Sequence, residues 1–246
     1  MLPKIIHYCW FGRNPKPDIV KKCITSWRHF CPDYQIIEWN EENFDIQECP
    51  DFVRDAYTNK KWAFVSDYAR LKIIFENGGV YLDTDVELVK PLDRLIAKCP
   101  HGYMGFEQDT QVNTGIGFAA EKSNRVIAEM MTEYEKLQFN SDCLDKIACP
   151  IINTNVLVRH GLKTGGEMQQ IGDLIILPLE YLCPESMYTG QVTYTENTVS
   201  VHHYSASWMP VKERIRMKAI IVIKKLLPQK SVENIRKKLS TKNRGH

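Results

Sequence analysis

Apolar positions fall into short runs between polar turns, and their spacing changes along the chain. "KIIHYCWFG" (Lys4–Gly12) is apolar at most positions and ends in a Gly turn, the pattern of a buried strand. After the loop "RNPKPD", Asp18 stands as the cap of a helix whose apolar residues Ile19, Val20, Cys23, Ile24 and Trp27 recur at helical spacing. "YQIIEWN" (Tyr34–Asn40) reads as a second strand. Strand, helix and strand in this order predict an α/β domain that opens with parallel pairing.

A second helix is predicted from Trp62 to Glu76, with Phe64, Tyr68, Leu71 and Phe75 as its buried stripe and "NGG" (Asn77–Gly79) as its stop. "VYLDTDVEL" follows as one strand, and "GYMGFEQ" and "GIGFAAE" as two more. Ser123 is placed to cap a helix that buries Val126, Ile127, Met130, Met131 and Tyr134. "IINTNVLVRHG" reads as helix to Gly161, "LIILP" as a strand, and "NTVSVHHYSASW" as a late strand running into a loop. Two closing helices, Pro210–Leu227 and Ser231–Leu239, are split at Pro228.

Composition narrows this little: 246 residues, 43% hydrophobic and 25% charged, are ordinary for one large globular domain. The eight cysteines contain no CxxC pair, which removes zinc-ribbon and thioredoxin-like readings. The opening residues lack the apolar stretch of a secretory signal, and no run reaches membrane-span length, so a cytoplasmic chain with reduced thiols is expected. Charge is more informative. The net +2 conceals a segment, 211–246, with twelve Lys and Arg against two Glu, on a body with 20 basic and 28 acidic residues. Such a segment suits an anionic membrane surface; it lacks the aromatic interleaving of a nucleic-acid binder, and no nucleic-acid partner is expected.

The candidate chemistry centres on Asp83 and Asp85. Adjacent carboxylates repel, and Asp is a poor strand former, so a fold that keeps both at the end of "GGVYLDTD" has a use for them. Strand carboxyl ends are where open α/β sheets bind ligands, and two carboxylates suit Mn²⁺ or Mg²⁺ on a diphosphate. Asp67 and Arg70 lie one helical turn apart on the preceding helix, either as a surface ion pair or as site residues.

"SDYARLKIIFENGGVYLDTDVE" resembles the signature of the DxD sugar transferases, glycosyltransferase family thirty-two. "PKIIHYCWFG", "NTGIGFAA" and "HHYSASW" extend the resemblance in order over about the first 210 residues. That family includes bacterial capsule and lipopolysaccharide transferases and fungal initiating mannosyltransferases, and the clostridial glucosylating toxins have a similar core. The resemblance implies a GT-A fold, Rossmann-like with a mostly parallel central sheet, over residues 1–210, and leaves 211–246 as a basic amphipathic helical tail. It implies a retaining transferase that moves a sugar from a nucleotide sugar, UDP-sugars favoured, to a glycan acceptor in bacterial surface-polysaccharide assembly.

Carried over by position, Asp85 would hold the metal, with Asp83 touching the ribose and reaching the metal through water. Asp67 and Arg70 would bind the transferred sugar, His7 to Trp10 would receive the base, and His203 would be a third metal-side ligand. Trp208 would cover the diphosphate, with Tyr81 and Asn113 completing the donor contacts. No catalytic nucleophile stands out; Glu107 and Asp109 are candidates by position. A lipid-linked acceptor would bring the tail to the inner face of the plasma membrane. Two rivals remain: a non-catalytic carbohydrate-binding module, and a phosphatase using the first Asp of "LDTDVE" as nucleophile, against which Glu87 stands where Thr or Val is needed.

Overall fold

A computed structural model describes residues 2–140, 147–185 and 192–205. The chain divides into two compact units, residues 1–184 with 194–205, and residues 185–193 with 206–246. The proposed boundary at residue 210, the two closing helices and Trp208 lie outside the described residues.

In the first unit, β1 (Ile5–Cys9), α1 (Asp18–Phe30) and β2 (Gln35–Trp39) form the expected parallel opening. Asp18 does not cap α1: Pro17 holds that place, and Asp18 sits in the first turn, where its charge meets the positive end of the helix. α2 (Asp51–Thr58) precedes α3 (Trp62–Asn77), which ends at Gly78 with φ +69°. Next come β3 (Gly79–Tyr81), β4 (Val86–Leu88), α4 (Asp93–Lys98), β5 (Gly102–Gln108) and β6 (Gln111–Val112). A 3₁₀ turn (Thr114–Ile116), β7 (Phe118–Ala120), α5 (Arg125–Glu135), α6 (Cys149–Arg159), β8 (Gln169–Ile171), β9 (Leu174–Leu177), α7 (Leu179–Leu182) and β10 (Ser200–His202) complete it. Asn124, not Ser123, caps α5, its side chain accepting from Val126 and Ile127 N–H at 3.0 and 3.2 Å. The Asn carboxamide reaches the second and third helical amides from its own position, whereas Ser123 is held one residue earlier at φ +62°.

The main sheet has the order β2-β1-β3-β7-β5-β9-β8, with β6 paired to β5. β1, β2, β3, β5 and β9 run one way, and β6, β7 and β8 run against them. This is the expected α/β GT-A arrangement, with most strands parallel. Alternate strand residues enter different cores. Tyr81, Met104 and Phe118 pack with α2, α3, α5 and α6, whereas Val80, Tyr103 and Ala119 pack with α1, α4 and α7.

Two departures from the expected elements matter for the site. "VYLDTDVEL" is not one strand. β3 stops at Tyr81, the chain turns through Leu82–Asp85, and β4 pairs instead with β10 in a separate two-stranded sheet. The turn removes both Asp residues from any ladder, which satisfies their poor strand propensity. Nor is α3 buried on one stripe only: Asp67 and Arg70 are buried along with Phe64, Tyr68 and Leu71. Among the described residues, no helix is long and apolar enough to cross a membrane.

Candidate metal and sugar site

The turn after β3 and the chain after β10 meet. His203 N–H donates to the Asp85 carbonyl at 3.0 Å, extending the β4–β10 pairing by one rung. Tyr204 then takes φ +46°, rare for a residue with a side chain, and this brings Ser205 round to Asp85. Ser205 donates to Asp85 Oδ2 from both N–H and Oγ, at 2.8 and 2.6 Å, and His202 Nε2 lies 3.2 Å from Asp85 Oδ1. Burial pushes the Asp85 carboxyl up, but His202 and the Ser205 bonds outweigh it and hold Asp85 well below the usual carboxylate range. His202 loses by burial and gains more from Asp85, Glu107 and Asp83, rising to about 9.

On the other side stands Arg70. Its Nη1 is 3.0 Å from Asp67 Oδ1, its Nη2 lies 3.0 and 3.2 Å from the two oxygens of Asp83, and Tyr81 OH donates to Asp83 at 3.0 Å. Arg70 is 3% exposed, so the surface-pair reading of Asp67 and Arg70 does not hold. Burial raises Asp67 against the pull of Arg70; Arg70 resists burial because two carboxylates flank it, and stays charged. Gly115 allows the close approach on this side: a Cβ there would lie 2.7 Å from Asp83 Oδ2 and 3.3 Å from Arg70 Nη1.

Asp83, Asp85 and His202 offer three ligand atoms within 4.8 Å of one another. Among the described residues, the buried Nδ1 of His202 has no hydrogen-bond partner. Two carboxylates and an imidazole suit Mn²⁺ and, less well, Mg²⁺, so the donor set fits the expected cation.

Several expected contacts are placed differently. His203 turns away, its Nε2 lying 2.7 Å from Glu87, which also binds Lys22; His202 takes the place expected for it. The reason is register, since β10 pairs His202 with Val86 and so puts His203 on the face of Glu87. Tyr81 is 1% exposed and reaches Asp83 rather than a ligand. Asn113 Oδ1 accepts from Gly115 N–H at 2.6 Å and its Nδ2 donates to Glu107 at 3.0 Å, so it braces other groups. Glu107 is buried and raised by burial, against His202 and the Asn113 bond. Trp10 lies just past the end of β1, its backbone N–H donating to the carbonyl of Trp39 at the end of β2. It lines a cleft of about 310 Å³ with Arg13, Asn14, Lys16 and Glu38.

His7 is no ligand. It is fully buried, accepts from Trp39 Nε1 at Nδ1 (3.0 Å) and donates from Nε2 to the Gly78 carbonyl (3.1 Å). Burial lowers it from 6.5 to about 4, although the Gly78 bond opposes this. The unfolded chain therefore takes up a proton below pH 6.5 that the fold refuses. This contribution is complete above pH 6.5 and falls by about 1.4 kcal/mol per pH unit until the folded pKa near 4. Urea midpoints of His7→Gln are expected to fall less over that window than those of the wild type. Parallel curves would contradict the buried neutral His7.

Sequence reasoning missed Ser205, which lay unremarked in "HHYSASW", and Cys149 and Asn153 behind the site. Their only signal was polar residues at the start of an otherwise apolar helix.

Residues 17–100 match the family described as glycosyltransferase sugar-binding region containing DXD motif. Inositol phosphoceramide mannosyltransferase 1 of Schizosaccharomyces pombe is 31% identical over 108 residues, 39% of this chain and 32% of that protein. Subversion of eukaryotic traffic protein A of Legionella pneumophila is 23% identical over 175 residues, 58% of this chain and 27% of that protein. The chain thus spans about a third or less of the curated relatives it matches. Among solved structures, the PaToxG glycosyltransferase superposes with a TM-score of 0.50 at 19% identity, covering 64% of this chain and 69% of that one, a likeness of fold. Asp67, Arg70, Asp83 and Asp85 all lie within residues 17–100, so the stretch that is similar to the DXD glycosyltransferase family is the one that carries these side chains.

Proposed function

We propose that the protein is a metal-dependent, retaining glycosyltransferase that moves a hexose or N-acetylhexosamine from a nucleoside-diphosphate sugar to a glycan acceptor. One observation carries the reading: Asp83, Asp85 and His202 converge at the end of β3, beside an Arg70 that already holds Asp67 and Asp83. A metal bound by these three residues would supply Lewis-acid stabilisation of the charge that develops on the diphosphate leaving group. The chain's own residues do the rest. Ser205 fixes Asp85, Tyr81 and Arg70 fix Asp83, and Asp67 presents a buried carboxylate to sugar hydroxyls. Trp10, half-buried at a cleft with Lys16 over its ring, offers an aromatic surface for the base.

The finer terms rest on the resemblance. Retention would follow from attack on the face the leaving group departs from. UDP-sugars are the first donors to try, and mannose donors join them because two relatives are named mannosyltransferases. The capsule and lipopolysaccharide transferases support an acceptor in bacterial surface polysaccharide. The basic segment supports an acceptor at a membrane, and removal of Val211–His246 should then release the protein from membrane fractions; unchanged fractionation would remove that part.

The test is release of nucleoside diphosphate across a panel of UDP- and GDP-sugars, with and without Mn²⁺. One donor hydrolysed only with metal supports the reading. Folded protein that neither turns over nor binds nucleotide with metal favours a carbohydrate-binding module. Gly115→Ala should reduce that release at least tenfold, because the added methyl drives Asp83 off Arg70. Its melting temperature should fall only by the few degrees that follow from about 1–3 kcal/mol of overpacking. Unchanged kinetics would show that Asp83 can move without consequence.

A further inference from the structure

Three of the four acids at the site have a cation. Asp67 and Asp83 share Arg70 at 3.0 Å each, and Asp85 has His202 at 3.2 Å. Glu107 has no ion-pair partner within 4 Å among the described residues, and His202 and Arg70 act on it only from further away. It lies within β5, is 6% exposed, and takes one hydrogen bond, from the neutral amide of Asn113. Burying a carboxylate with so little compensation is unfavourable, and an uncharged side chain of the same size would suit a purely structural position better.

The surroundings nevertheless fix the one group that bonds to it. Asn113 cannot turn its amide round, because its Oδ1 accepts from Gly115 N–H at 2.6 Å and from the Cys149 thiol at 3.3 Å. α6 grips the residues on either side. Asn153 donates to Thr114 Oγ1 at 3.0 Å, and Thr154 Oγ1 accepts from Val112 N–H at 2.9 Å. Asn113 Nδ2 is thereby aimed at Glu107, whose charge interacts with those of His202, Asp83 and Arg70.

We propose that Glu107 is a sugar-binding residue whose carboxylate accepts hydrogen bonds from substrate hydroxyls, with Asn113 as its positioning residue. The proposal rests on the glycosyl-transfer reading above. Hydroxyls are the complement this carboxylate lacks: several neutral donors in a pocket whose cations are already engaged. They belong either to the transferred sugar or to the acceptor, and the experiment separates the two.

Glu107→Gln keeps the volume and the Asn113 bond and removes the charge. Wild type and variant are compared by melting temperature without ligand and by Mn²⁺-dependent binding of UDP or GDP, whichever the wild type releases. Steady-state donor hydrolysis is then measured with and without methyl glycosides as acceptors. Melting temperature should be equal or higher, and nucleotide binding should stay within about twofold. If the hydroxyls are the donor's, KM for hydrolysis rises at least tenfold, the effect of losing one charge-assisted hydrogen bond. If they are the acceptor's, hydrolysis is retained and stimulation by methyl glycosides falls at least tenfold. Glu107→Asp, which keeps the charge, should recover part of either loss. Hydrolysis and stimulation both within twofold of wild type overturn the proposal, as does a lower melting temperature with nucleotide binding lost, which would make Glu107 part of the frame. A wild type that turns over no donor overturns the functional reading as well; turnover with an unaffected variant overturns this proposal alone.

Discussion

Asp85→Asn is expected to lower metal-dependent release of nucleoside diphosphate by at least about a hundredfold, the size typical of losing a preorganised charge on a leaving group. Mn²⁺ should no longer stimulate what remains. The amide keeps the shape, and one end can still accept from Ser205, so the turn between β3 and β4 should stay folded. What disappears is the carboxylate that His202 and Ser205 hold ionised in a buried place. Initial rates over a Mn²⁺ titration check this. A variant stimulated as strongly as the wild type would remove Asp85 from the metal.

Arg70→Met should have the largest effect on stability. Arg70 is 3% exposed and lies between two carboxylates that have no other cation among the described residues. Met replaces much of the volume but leaves Asp67 and Asp83 buried and uncompensated, a loss of about 3–5 kcal/mol. Arg70→Lys keeps a charge but not the fork that spans both carboxylates, and should lie between Met and wild type. Urea midpoints measured together rank the three. Equal midpoints for Met and wild type would mean that Arg70 does not stabilise its acidic neighbours.

The frame of this site was legible because its signals are local. The apolar run Lys4–Gly12, the spacing from Asp18 to Trp27 and the "NGG" stop place β1, α1 and α3 to within a few residues. Asp67, Arg70, Asp83 and Asp85 followed, since a helix, a double glycine and a strand fix their separation along the chain. The misplacements involve partners far apart in sequence. Alternation along β10 says that His202 and His203 face opposite ways, but ladder register alone would set Asp85 beside His203; Asp85 meets His202 because it lies in the turn before β4, outside the strand. His7 lies on a strand that reads as a ligand edge; Trp39 and the carbonyl of Gly78 make it a neutral core residue. "VYLDTDVEL" alternates well enough for one strand, and its break is set by β10, more than a hundred residues later, claiming the second half. Ser205 reaches Asp85 only because Tyr204 takes a left-handed conformation, which no residue type in "HYSAS" announces.

The most direct test of the account is Mn²⁺ binding, followed by electron paramagnetic resonance in the presence of UDP or GDP, for the wild type and for His202→Ala and His203→Ala. One tight site is expected in the wild type, weakened at least tenfold by His202→Ala and unchanged by His203→Ala. No nucleotide-dependent site in the wild type, or one lost with His203 and kept without His202, would contradict it.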